Sequence, residues 1–164
     1  MTSRSQPSAI RFERLESVER EVILAHMLDP RIAKHLPLLD EREWDLGKVD
    51  WFVGMKAAHW EKHGFGHWAI FIEDEYAGWG GFEKDGDGWD FGLVLHPDHF
   101  RSGARIAAQA FAWAREHTQI ERVTALLPLS RSERALQRHG ARPIGEVEAH
   151  GLTFRKWEVH LREE

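Results

Sequence analysis

The chain has 164 residues, 42% of them hydrophobic, enough for one ordinary domain with its own core. Its 22 Lys and Arg against 27 Asp and Glu leave a net charge of -5, which argues against nucleic acid or an anionic membrane as the main partner. The absence of cysteine excludes disulfides, thiolate metal ligands and any acyl-enzyme formed on a thiol.

Met1–Ser8 is polar and lacks the apolar centre of a secretory signal, so residues 1–9 are expected as a flexible tail, residues 10–164 as a single domain, and the cytoplasm as its location. Apolar runs reach only five residues, as at Trp68–Ile72, against the roughly 20 of a membrane-spanning helix, so no membrane partner is expected. Ile10–Arg14 alternates as a short strand. Leu15, Val18, Val22, Ala25 and Leu28 then recur at helical spacing until Asp29-Pro30 interrupts them. Arg31–Leu36 reads as a short helix stopped by Pro37, and Val49, Phe52, Val53 and Trp60 mark a longer helix ending at His63-Gly64.

Three strands follow, at Trp68–Ile72, Ala77–Glu83 and Trp89–Leu95, joined by hairpin-like turns and therefore antiparallel. Residues Ser102–His117 form a helix whose broad apolar face includes Ile106, Ala110, Phe111 and Ala114. Arg122–Leu127 is a strand. Ser130-Arg131-Ser132-Glu133 matches a capping box for a short helix, about 131–139, closed by Gly140. Ile144–Glu148 and Leu152–Leu161 make a last hairpin turning at Ala149-His150-Gly151. This order is α+β, with a central mixed, mostly antiparallel sheet flanked by helices. The step across 89–127 is a right-handed parallel crossover.

Between Leu95 and Ile106 the chain reads His96-Pro97-Asp98-His99-Phe100-Arg101-Ser102-Gly103-Ala104-Arg105. Small residues at a helix start let backbone N–H groups point outward, where the macrodipole favours a phosphate. The plainer alternative makes Ser102 an N-cap and Gly103 a turn residue.

Four stretches together resemble the GNAT superfamily of acyl-CoA-dependent N-acetyltransferases, especially its ribosomal-protein N-terminal (Rim-type) branch. They are Asp29–Pro37, Gly64–Ile70, Asp90–Gly103 and Ser132–Arg142, of which the third is the most specific. The resemblance implies a sheet splayed between its fourth and fifth strands, with the pantetheine arm of acetyl-CoA in the gap. It implies backbone contacts from Leu93, Val94 and Leu95, with the Val94 N–H polarising the thioester carbonyl. It further implies a diphosphate held by the N–H groups of Arg101, Ser102, Gly103, Ala104 and Arg105. The family loop opens with Gln or Arg and closes on a small residue; here Phe100 opens it and Arg105 closes it, which either sets a guanidinium beside the phosphates as a charge-assisted donor or fills space that the cofactor needs.

Attack on a thioester requires a neutral amine and therefore a base. Asp90 stands where related enzymes often carry a glutamate, and Glu83 ends the preceding strand; both are candidate bases, and a solvated strand residue is the alternative for each. Strand alternation puts Asp90 with Gly92 and Val94, opposite Trp89, Phe91, Leu93 and Leu95. Many relatives protonate the leaving thiolate with a tyrosine, but Leu136 occupies that position and Tyr76 is the only tyrosine. Ser132 matches a Rim-type serine that would hydrogen-bond the sulfur, and the family's upstream asparagine is not evident.

His59 and His63 at i and i+4 lack the glutamate position of a zinc protease, and a third ligand, His67, would have to come from the next strand; no metal is expected. Trp44, Trp51 and Trp79 are candidates for an acceptor pocket. The expected function is acetyl transfer from acetyl-CoA to a primary amine, a peptide N-terminus or a small molecule, by direct attack in a ternary complex. The alternative is a catalytically silent GNAT-fold binding protein. Because members of the family are often dimers, a homodimer is an open assembly state.

Overall fold

The computed structural model describes residues 9–32, 43–129, 133–149 and 151–162. Its elements are β1 (Ile10–Arg14), α1 (Arg20–Met27), α2 (Leu46–His63), β2 (His67–Ile72), β3 (Glu75–Asp85), β4 (Gly88–Leu95), α3 (Gly103–His117), β5 (Arg122–Pro128), α4 (Arg134–Arg138), β6 (Arg142–Ala149) and β7 (Leu152–His160). The strands form one sheet in the order β1-β2-β3-β4-β5-β7-β6. Neighbours are antiparallel except β4 and β5, the parallel pair joined through α3. The α+β order read from periodicity is therefore the observed one.

The helix expected from Leu15 to Leu28 is broken. A 3₁₀ turn spans Leu15–Ser17, Val18 and Glu19 are extended, and α1 begins at Arg20. The Ser17 hydroxyl donates to the Arg14 carbonyl at 2.7 Å, a local bond that competes with helix. Of the short helix expected over 31–36, Arg31 and Ile32 lie in a turn and 33–36 fall outside the described residues. The long helix starts three residues earlier than its apolar stripe, because the Asp45 carboxylate accepts the Lys48 N–H at 2.7 Å. It ends at Gly64, whose φ of 81° is the left-handed conformation that closes helices. Of the expected capping box, Ser130 lies outside the described residues, and Glu133 accepts from Arg155 at 2.7 Å.

Strand alternation splits the sheet into two faces. Trp68, Phe82 and Phe91 pack with Phe111 and Ala110 of α3, the Phe82–Phe91 and Phe91–Phe111 centroids lying 5.2 and 4.8 Å apart. On the other face Ala69 and Trp79 meet Ile23 of α1 and Val49, Phe52 and Val53 of α2. The β3 and β4 backbones approach closely at Gly80, where an added Cβ would stand 2.2 Å from the Gly92 carbonyl oxygen at a φ of +159°.

Candidate active site

β4 and β5 share one aligned pair, Asp90 with Thr124; beyond it no β5 residue pairs with Phe91–Leu95. The splay is therefore present, with Asp90 at its apex. The opened edge leaves main-chain groups that an amide-bearing arm can satisfy as an added strand. Register decides which ones. The His96 N–H donates to the Ala77 carbonyl of β3 at 2.7 Å, and direction alternates along a strand, so Val94 also turns its N–H and C=O toward β3. Its carbonyl oxygen lies 2.3 Å from where a Gly78 Cβ would stand. The Val94 N–H is thus committed to β3 and is not the expected carbonyl-polarising donor. Leu93 and Leu95 face the gap.

Below this edge, on the α2 side of the sheet, lies a cluster of titratable groups. Glu83 and Asp90 are an aligned cross-strand pair. Lys56, 5% exposed, donates a short hydrogen bond to Glu83 Oε2, and its ammonium lies 5.3 Å over the rings of both Phe52 and Trp79. His67, on β2, puts Nδ1 3.7 Å from Glu83 Oε2, and neither ring nitrogen has a hydrogen-bond partner. Burial first, then the Lys56 and His59 charges, holds His67 well below its ordinary value, so it is neutral. Burial also lowers Lys56, and Glu83 pushes it back up.

Asp90 is pushed up to about 7, chiefly by burial and then by Asp85 and Glu83, against the opposing hydrogen bond from Thr124 and the charge of Lys156. The Thr124 hydroxyl donates to Asp90 Oδ1 at 3.4 Å. A carboxyl half-ionised near neutrality is matched to accepting an amine proton. Both sequence-derived acids therefore meet at the apex. Lys56 was missed, although it stands on the apolar stripe of α2 with Val49, Phe52 and Val53, where a lysine needs a buried partner.

The start of α3 differs from expectation. A 3₁₀ turn over Pro97–Ser102 runs directly into α3, capped by the His96 ring, which accepts the Asp98 N–H at 3.2 Å. Ser102 stands at the N-cap position of α3 but has helical backbone and makes no side-chain cap bond. The Gly103 N–H donates to the Phe100 carbonyl, so it is committed within the turn and is not one of the diphosphate donors that the resemblance implies. Arg101 and Arg105 are exposed, while Ser102, Gly103 and Ala104 are half-buried.

Ser132 lies outside the described residues. Leu136 packs against the α3-side core. The Tyr76 hydroxyl is bonded to His26 Nδ1 at 3.0 Å, and burial pushes its proton affinity far above the ordinary phenol value. Trp79 is core, its indole donating to Met27 Sδ at 3.3 Å, and Trp44 packs edge-on against Phe52. Trp51, 48% exposed, lines a hollow of about 400 Å³ with Glu43, Asp45, Gly47 and Lys48. His59 bridges Phe65 O and the Lys84 N–H at 2.9 and 3.0 Å, which pins the end of α2 to the β3–β4 hairpin. Among the described residues no three His, Asp or Glu side chains are grouped to hold a metal. No described helix is long and apolar enough to cross a membrane.

The model of the acetyltransferase (GNAT) family matches residues 33–141. The chain belongs to that family. It is a GNAT-type N-acetyltransferase, and acetyl-CoA is its acyl donor. No curated protein matches it by sequence. An acetyltransferase of the GNAT family from Bacillus anthracis shares the fold with a TM-score of 0.72 at 17% identity, over 96% of this chain and 98% of that one. A putative acetyltransferase, yncA, from Salmonella typhimurium, solved with its cofactor acetyl-CoA, gives 0.67 at 16% identity, over 97% and 96%. RimL, a ribosomal L7/L12 alpha-N-protein acetyltransferase solved with coenzyme A, gives 0.67 at 15%, over 92% and 93%.

The residues of this GNAT chain fit the cofactor at the opened strand. Leu93 and Leu95 present main-chain groups along an edge that β5 has left, and the helix start beside Leu95 carries no side chain at Gly103 and only a methyl at Ala104.

Proposed function

We propose that the protein moves the acetyl group to a primary amine by direct attack in a ternary complex, with Asp90 as general base. The position of Asp90 at the apex of the splay carries this reading. Acetyl-CoA, when bound, supplies an activated thioester carbonyl. The main chain of Leu93 and Leu95, with Val94 between them, binds the arm as an added strand. Phe100, Arg101, Ser102, Gly103, Ala104 and Arg105 form the diphosphate end, with both guanidinium groups adding charge to the helix start. Asp90 takes the proton the amine nitrogen must lose, and Ser132 offers its hydroxyl to the sulfur. Glu83 borders Asp90.

The acceptor is a peptide N-terminus or a small amine. The Rim-type motif stretches and the likeness to RimL favour the first. A putative phosphinothricin N-acetyltransferase, with a TM-score of 0.69 at 15% identity, favours the second. Incubation with acetyl-CoA and two panels, short peptides with free N-termini and polyamines or amino acids, tests the reading by mass shift and CoA release. Acetylated product in one panel, lost in Asp90→Asn, is expected. No product from either panel, with acetyl-CoA still raising the thermal midpoint, would rule out both acceptor classes while leaving the donor site in place.

A further inference from the structure

We infer that the Lys56–Glu83 ion pair is a positioning device for Asp90: by fixing the negative charge on Glu83, it makes Asp90 the carboxyl of the facing pair that exchanges protons. This rests on the reading of Asp90 as the base. Glu83 and Asp90 are aligned across β3 and β4 on the same face of the sheet. Two carboxylates so placed repel, so one tends to keep a proton. Nothing in the pairing itself chooses which.

Lys56 makes the choice. Its ammonium reaches Glu83 with a short hydrogen bond and rests on the faces of Phe52 and Trp79, both of which favour the charged form. The position of Lys56 is in turn held by α2, whose end His59 ties to the β3–β4 hairpin through Phe65 and Lys84. His67, the other cation candidate at 3.7 Å, is buried with both nitrogens unpartnered and is neutral, so it does not compete for Glu83. The remaining groups around Asp90 are Asp85 from β3, the Thr124 hydroxyl from β5 and, one strand further, Lys156 from β7. Glu83 and Asp85 raise its proton affinity; Thr124 and Lys156 lower it.

The test reads Asp90 directly in the free protein, by carbon NMR titration of aspartate side chains labelled with ¹³C, with its signal assigned by its loss in Asp90→Asn. Glu83→Gln removes the facing charge and releases Lys56 toward Asp90, so the midpoint is expected to fall by about one pH unit. Lys56→Arg, which keeps the cation, should leave it within about 0.3 unit. If Glu83→Gln does not fold, the double variant Lys56→Gln with Glu83→Gln keeps polar groups of similar size while removing both charges, and the midpoint should still fall, by less than in the single variant. A folded Glu83→Gln or double variant with an unmoved midpoint overturns the inference. Should the midpoint move while Asp90→Asn retains full acetyl transfer, the base assignment fails and the charge coupling stands.

Discussion

The three strands β2, β3 and β4 each give one residue to one face and its neighbour to the other. Trp68, Phe82 and Phe91 join the aromatic core under α3, while the adjacent His67, Glu83 and Asp90 gather under α2. One residue of displacement thus separates a rigid apolar layer from a buried polar one. The first is insensitive to pH and positions the second; the second holds charge where burial makes every neighbour count. The lesson is that stability and chemistry are assigned to opposite faces of the same strands, and substitutions at adjacent positions should separate them.

The largest effect is expected on the aromatic side. Phe82→Ala should lose about 3–5 kcal/mol in urea denaturation, since the ring is fully buried against Phe91 and Phe111. A loss below about 1 kcal/mol would dissolve the contrast between faces. On the polar side, Asp90→Asn should lower kcat/KM by about 10²- to 10³-fold in an acetyl-transfer assay. Its effect on stability should run the other way. The carboxyl binds its proton more tightly folded, at about 7, than at its ordinary 3.8, so native stability is lost as pH rises from 3.8 through 7. Asp90→Asn should therefore be the more stable protein at pH 8, by on the order of 2 kcal/mol after discounting for its partial exposure, and the gap should close by pH 4.

His26 sharpens the comparison with an opposite slope. Buried on α1 and lowered to about 4 chiefly by burial, it stays neutral in the fold while the unfolded chain protonates near 6.5. Its contribution is complete above pH 6.5 and falls away toward pH 4, by on the order of 2 kcal/mol, and His26→Gln should flatten that acid loss in pH-dependent melting. The smallest effect is expected at Gly103, where the backbone is ordinary helix and an added Cβ meets Leu95 Cδ1 at 3.6 Å. Gly103→Ala should fold as well as the native chain while weakening CoA binding roughly tenfold by calorimetry, about 1.4 kcal/mol. Unchanged affinity would remove this helix start from the diphosphate site.

Much of this was legible in the residue pattern. The hairpin at Asp85–Gly88, the crossover through α3 and the two acids at the ends of their strands follow from local alternation and turn chemistry. The break at Ser17 and the 3₁₀ turn before α3 were not legible, because each depends on one side-chain bond, from Ser17 to Arg14 and from Asp98 to the His96 ring, that competes with helix. Val94 was given a donor role that register denies it. Lys56 was passed over because periodicity marks it as one more position on a helix stripe.

By itself, then, the chain's residue order determined the succession of elements and which side chains share a strand face, since both are set within a few residues by backbone geometry. Only the tertiary structure decided that Glu83 stands across from Asp90, that Lys56 covers one and not the other, and that β4 leaves β5 just past Asp90. Those outcomes depend on register and burial summed over distant segments, and the affinity of a carboxyl for its proton is a property of that surrounding, not of the residue.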